Sequence, residues 1–113
     1  MSNTLGQKGY EMNIDGKYEI VEMELWDKED IDLTETGYIK INGNSGEFHF
    51  ICVDGRMEIK KQKDKYTFSW DGNDECEPAC GYGEFIYEND TLAGRIYFHQ
   101  GDDSSFKAIK IKS

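Results

Sequence analysis

Two stretches concentrate the side chains that do chemistry. "SWDGNDECEPACGYG" (69–83) holds Asp71, Asp74, Glu75 and Glu77 together with Cys76 and Cys80, and no lysine or arginine. "HQGDDSS" (99–105) holds His99, Asp102, Asp103 and Ser104. Zinc takes four tetrahedral ligands, and Cys52, Cys76, Cys80 and one histidine would make such a set. His49 and Cys52 lie three apart on one strand and face opposite ways, so the fourth ligand would have to be His99 or an acid. Asp71, Asn73 and Glu75 have the 1-3-5 rhythm of a calcium loop. Cys76 stands where its turn glycine belongs and Tyr82 where its bidentate glutamate belongs. No metal ligand is therefore assigned. His99, Asp102, Asp103 and Ser104 are too close in sequence to converge as a triad, and no strand–turn–helix elbow accompanies them. No catalytic residue is assigned either.

Ligand contact is the remaining chemistry. Trp26 and Trp70 offer aromatic surface. Asn73, Asp74 and Glu75, with His99, Asp102 and Asp103, offer polar groups from the two clusters. Glu22, Glu24 and Trp26 share a strand face by parity. Facing outward they are solvated acids; facing inward they would line a polar pocket with Arg95 as counter-charge. No cofactor is implied, because the chain contains no Gly-rich phosphate loop, no His-Glu-x-x-His and no dinucleotide fingerprint.

The elements that must position these groups read as strands. Apolar and polar residues alternate with period two over 17–26, 36–42, 46–53, 56–61, 65–70, 82–88, 92–100 and 105–112. Glycine-containing turns divide them, as in a sandwich or barrel. Asp54-Gly55 reads as a type I′ hairpin turn. Residues 71–83 read as the longest connection, because Pro78 cannot donate to a ladder. Short links make neighbours antiparallel, and eight strands in a meander close into a barrel without exposed edges. The expected fold is all-β, a small antiparallel meander barrel of about eight strands, with a sandwich second. Only 25–35 offers a helical turn. Residues 1–14 read as a flexible N-terminal tail and 15–113 as a single β-barrel domain.

The totals limit the partners. The chain has 113 residues and a net charge of −10. Ten acids fall within 11–35 and seven within 71–90. Such a surface repels phosphate backbones, so nucleic acid is not an expected partner. No run approaches the roughly 20 apolar residues that span a bilayer, so no membrane partner is expected. The N-terminus lacks the basic start and apolar stretch of a signal peptide, which predicts a cytoplasmic protein with reduced thiols. Pairing of Cys76 with Cys80 stays open. Fifteen aromatics (Trp 2, Tyr 7, Phe 6) supply much of the buriable area.

Two resemblances bear on shape. "YEIVEMELWD" (18–27), "FSWDGNDE" (68–75) and "GRIYFHQGDDSSF" (94–106) resemble a family of short, uncharacterised bacterial all-β proteins over roughly residues 16–108. This implies a compact all-β domain and no particular activity. Gly16-Lys17-Tyr18 resembles the Gly-x-Trp that opens the first strand of calycins, the lipocalin-like barrels. That resemblance implies a calycin-like barrel, with Lys110 or Lys112 packing against the first-strand aromatic. The functional expectation is a small-molecule-binding barrel with an aromatic-lined cavity. The alternative is a non-catalytic interaction module whose acidic loops meet a basic protein partner, with an enzyme ranked last.

Overall fold

The computed structural model describes residues 13–112. Eight strands follow in order: β1 (Gly16–Met23), β2 (Tyr38–Asn42), β3 (Ser45–Phe50), β4 (Val53–Lys61), β5 (Tyr66–Asp74), β6 (Glu77–Glu88), β7 (Thr91–Phe98) and β8 (Asp103–Lys110). A single helical turn, α1 (Lys28–Ile31), lies between β1 and β2. Each strand pairs antiparallel with the next, and β1 pairs with β8, so the sheet closes into a meander barrel. That closing pairing decides for the barrel and against the sandwich.

The alternating pattern works as expected where the ladder is regular. In β4, Val53, Gly55, Met57 and Ile59 point inward while Asp54, Arg56 and Glu58 are exposed. In β1 the register shifts between Ile20 and Glu22. The bulge adds a residue, so the buried set is Tyr18, Ile20 and Met23 rather than a strict alternation. Glu22 is exposed, and β1 ends before Glu24 and Trp26, so the three do not share a strand face. The described domain also includes Ile14, which the sequence places in the tail. It is buried in the core, and its carbonyl accepts the Tyr18 hydroxyl at 2.6 Å.

Two turns lie elsewhere than the sequence suggests. Asp54-Gly55 is inside β4, and the hairpin turns at Ile51-Cys52 with Ile51 at φ 56°. The reason is packing. This register sets Phe50 beside Val53, both in the core, and Phe48 beside Gly55. A Cβ on Gly55 would sit 2.4 Å from the Phe48 ring. A turn at Asp54-Gly55 would instead bring Phe48 opposite Lys61.

Residues 71–83 are likewise not a long connection. β5 continues to Asp74, Glu75 and Cys76 make a two-residue turn with Glu75 at φ 59°, and β6 starts at Glu77. Pro78 is accommodated because β7 first pairs with β6 at Gly81, so residues 77–80 have a ladder on one side only. Gly81 and Gly83 are ladder positions over which rings lie; a Cβ on Gly83 would come within 2.3 Å of Phe68.

Aromatic rings fill the interior. Phe48 meets Phe50 and Trp70 at 5.7 and 5.1 Å, Trp70 meets Phe98 at 5.1 Å, and Phe85 meets Tyr66 and Phe68 at 5.1 and 6.1 Å. Of the two lysines considered for the first-strand aromatic, Lys110 pairs with Tyr18 across the strands, its Nζ 6.0 Å from the ring centre.

Candidate functional site

The meander sorts the loops between two ends. The upper end carries the 24–37 segment with α1 and the turns at 51–52, 75–76 and 99–102. The lower end carries the turns at 43–44, 62–65 and 89–90. The two chemistry-rich stretches therefore share the upper end. They also touch, since the His99 N–H donates to the Cys80 carbonyl at 2.8 Å.

The sequence-predicted contact residues reach that end in different states. Asn73, Asp74 and Glu75 form the tip of the β5–β6 hairpin, pinned where the Glu75 N–H donates to the Cys52 carbonyl at 2.8 Å. His99 and Asp102 are exposed in the β7–β8 turn, closed by the Phe98 N–H donating to the Asp102 carbonyl at 2.9 Å. Arg95 is on the outside of β7, where it bonds Asp103 at 2.7 Å and Glu24 at 2.8 Å. It ties the chain beyond β1 to β8 and is not an internal counter-charge. Buried Ser104 assists, its hydroxyl accepting the N–H groups of Glu24 and Leu25. Trp26 is half-buried and caps the barrel against Phe50, with ring centres 5.6 Å apart. Trp70 is 3 % exposed, and its indole N–H donates to the Tyr97 carbonyl at 3.3 Å, so it is a core residue.

The aromatic-lined interior leaves little space. The apolar gap among Ile20, Met23, Ile39, Phe48, Phe50 and their neighbours has a volume of about 10 Å³. That is about what one water molecule requires. Rings fill the volume that a ligand would occupy.

Cys52 lies beside the Glu75-Cys76 turn, and Cys80 lies further along β6. All three cysteines are free. Cys76 is in the turn and Cys80 is four residues on along β6, which at about 3.3 Å per residue separates them by roughly 10 Å or more. A disulfide needs Cα atoms within about 7 Å, so an internal bridge would require β6 to come apart. Burial, followed by Glu75 and Asp74, pushes the Cys52 thiol above its ordinary range and makes it a poor thiolate. Among the described residues, no group of three or more His, Cys, Asp or Glu side chains is placed to hold a metal ion.

One polar constellation is visible only in three dimensions. His49 pairs with Asp54 across β3 and β4, with Nδ1 2.7 Å from the carboxylate. Its Nε2 is 2.7 Å from the Thr34 hydroxyl, which also lies 3.0 Å from the Ile51 carbonyl. Carboxylate, imidazole and hydroxyl stand in the order of a catalytic triad. The Thr34 hydroxyl donates its one proton to the Ile51 carbonyl and so does not present it to Nε2 as a triad nucleophile would, and the imidazole ring is only 7 % exposed. The chain instead clasps the 32–37 loop to the barrel. Asp32 anchors the same loop by accepting the Gly37 N–H at 2.8 Å and pairing with Lys28 at 2.6 Å. Sequence reasoning missed this clasp because it placed Asp54 in a turn; the cross-strand pair emerges once the turn is at Ile51-Cys52.

Charge separates along the barrel axis. Residues 24–37, 71–77 and 99–103 carry twelve acids and one base, Lys28. Residues 13–16, 60–65, 88–90 and 110–112, at the lower end, carry six lysines and four acids. Comparison with known proteins gives no match to a family model, none to a curated protein and none to a solved structure.

Proposed function

We propose that this protein is a non-catalytic interaction module whose acidic upper end docks a basic protein partner. The observation that carries the reading is the segregation of acids onto the upper end, where half-buried Trp26 and Phe98 give an apolar centre within an acidic rim. An anchor of this kind ringed by charge is how interfaces divide affinity from steering. The filled interior supports a surface function over a ligand held inside the barrel. Three free thiols, two of them exposed, suit a reducing compartment such as the cytoplasm.

The test is affinity capture from the source cells, with wild type beside a variant carrying Asp74→Asn, Glu75→Gln, Glu77→Gln, Asp102→Asn and Asp103→Asn. The reading expects a partner of high isoelectric point that is captured at low salt, is weakened by added salt and is lost with the variant. Capture unchanged by the five substitutions overturns it.

A further inference from the structure

The outer face of the barrel is not uniformly convex. Across β2 to β5 it holds an open groove of about 740 Å³, with long side chains such as Lys40, Glu47, Arg56 and Glu58 as walls. A second groove of about 480 Å³ continues it toward β6 and β7, and the two share Glu58 and Ser69. The valley follows from residue size. Ser45, Thr67 and Ser69 are short outward-facing residues between strands that carry lysine, arginine and glutamate.

Two features narrow the ligand class. The first is charge. Lys40, Arg56, Lys60 and Lys65 are matched by Glu47, Glu58, Asp71 and Glu84, with Arg56 to Asp71 at 3.6 Å and Lys65 to Glu84 at 2.9 Å. On a molecule of net charge −10 this face is locally neutral and dense in paired donors and acceptors. The second is an aromatic platform. Tyr82 and Tyr97 stack at 4.6 Å with planes 10° apart. Tyr82 is 57 % exposed and lines the second groove beside Thr67 and Ser69. A stacked pair holds the ring still, so a ligand orders little on meeting it.

We infer that this valley binds a neutral polyhydroxyl ligand, an oligosaccharide, laid over Ser69 with one sugar ring on Tyr82. Hydroxyls meet the flanking carboxylates, ammonium groups and serines, while the apolar face of the sugar covers the tyrosine ring. An extended peptide fits less well. The strands beneath the valley are paired on both sides, so none offers a free edge there for a peptide to join. The volume suits a short oligomer, since binding clefts typically span about 300–1,000 Å³. Outer sheet faces of small barrels do serve oligosaccharides in other folds. This site is separate from the acidic end and independent of that reading, because its probes are uncharged and its variants leave the acids in place.

The experiment titrates maltohexaose, cellohexaose, xylohexaose and chitohexaose separately into the isotope-labelled protein, following backbone amide signals. At least one should cause saturable shifts on the outer positions of β4, β5 and β6. For that sugar, Tyr82→Ala should weaken binding about tenfold or more, and Tyr82→Phe should leave it within about twofold. Ser69→Lys, which fills the floor beside Tyr82 while keeping its ring, should also abolish it and stands in if Tyr82→Ala does not fold. Binding of none of the four at millimolar concentration overturns the inference. So does binding that survives both Tyr82→Ala and Ser69→Lys.

Discussion

At the scale of single residues, His49 shows how a polar group becomes structural. It is buried on the outer face of β3, where the 32–37 loop, Asp54 and the stacked Tyr38 ring shield it from water. A buried polar group with all partners present stabilises; removing one leaves the others desolvated and unpaired. His49→Ala is expected to cost about 2–3 kcal/mol in a urea melt, and Thr34→Val about 1 kcal/mol. A cost for His49→Ala near zero would show that the clasp does not hold the loop. Tyr18 is the second such residue. Burial, helped by nearby Tyr87, Asp90 and Asp15, pushes its phenol well above the ordinary 10.0. Its folded value exceeds its unfolded one, so its contribution is complete below about pH 10 and is lost as the pH rises further. Lys112 is held up by Asp90 and acts in the same direction. At the acid limit the sign reverses. Burial opposes ionisation of Asp32, but the Gly37 N–H and Lys28 outweigh it and lower its value below 3.8. Stability from Asp32 is present above that value and lost as the pH falls past it. A plot of melting temperature against pH should therefore fall at the acid limit as Asp32 is protonated, and above about 10 as Tyr18 and Lys112 lose their protons. Tyr18→Phe should cost about 1 kcal/mol at neutral pH through the lost hydrogen bond to Ile14, and make the alkaline fall shallower.

At the scale of elements, strands were legible and two of the turns were not. Period-two alternation marks which residues share a face, and that pattern is local. Where a hairpin turns is a choice of register, and register depends on which side chains fit opposite one another. Asp-Gly at 54–55 has the better turn chemistry, yet the turn goes to Ile51-Cys52 because Phe48 needs the space over Gly55. The pairing of Phe68 with Gly83 follows the same rule. Gly83→Ala should destabilise by about 1–3 kcal/mol or more, since the added methyl meets both the Phe68 ring and the Arg95 carbonyl. A variant as stable as wild type in a denaturant melt would mean the ring has room to move. The β5–β6 hairpin hid for a related reason. Its acids, proline and thiols look like loop composition, but Asp71 and Cys80 face outward as a cross-strand pair. Because β6 holds Cys76 and Cys80 apart, mild oxidation should yield no Cys76–Cys80 disulfide by mass spectrometry.

For the whole molecule, two properties matter: a filled interior and a charge axis. The predicted contact residues gathered at one end although they are spread from 26 to 103, because a meander sends alternate turns to the same end. Their roles then diverged, with Trp70 and Arg95 drawn into the framework and Asn73, Asp74, Glu75, His99 and Asp102 left at the rim. With an apolar gap of only about 10 Å³ among the core rings, apolar probes such as fatty acids should leave the melting temperature unchanged, since ligands stabilise only by binding the native state. A saturable rise would mean that the aromatic interior opens. The sequence by itself determined the class of fold, the strand count and the acidity, because alternation, turn residues and charge are properties of short stretches. Only the tertiary structure decided the two displaced turns, the Thr34–His49–Asp54 clasp, the outer valley and the absence of room inside. These depend on the volumes and partners of residues far apart in sequence, which meet only when the eight strands settle on one register.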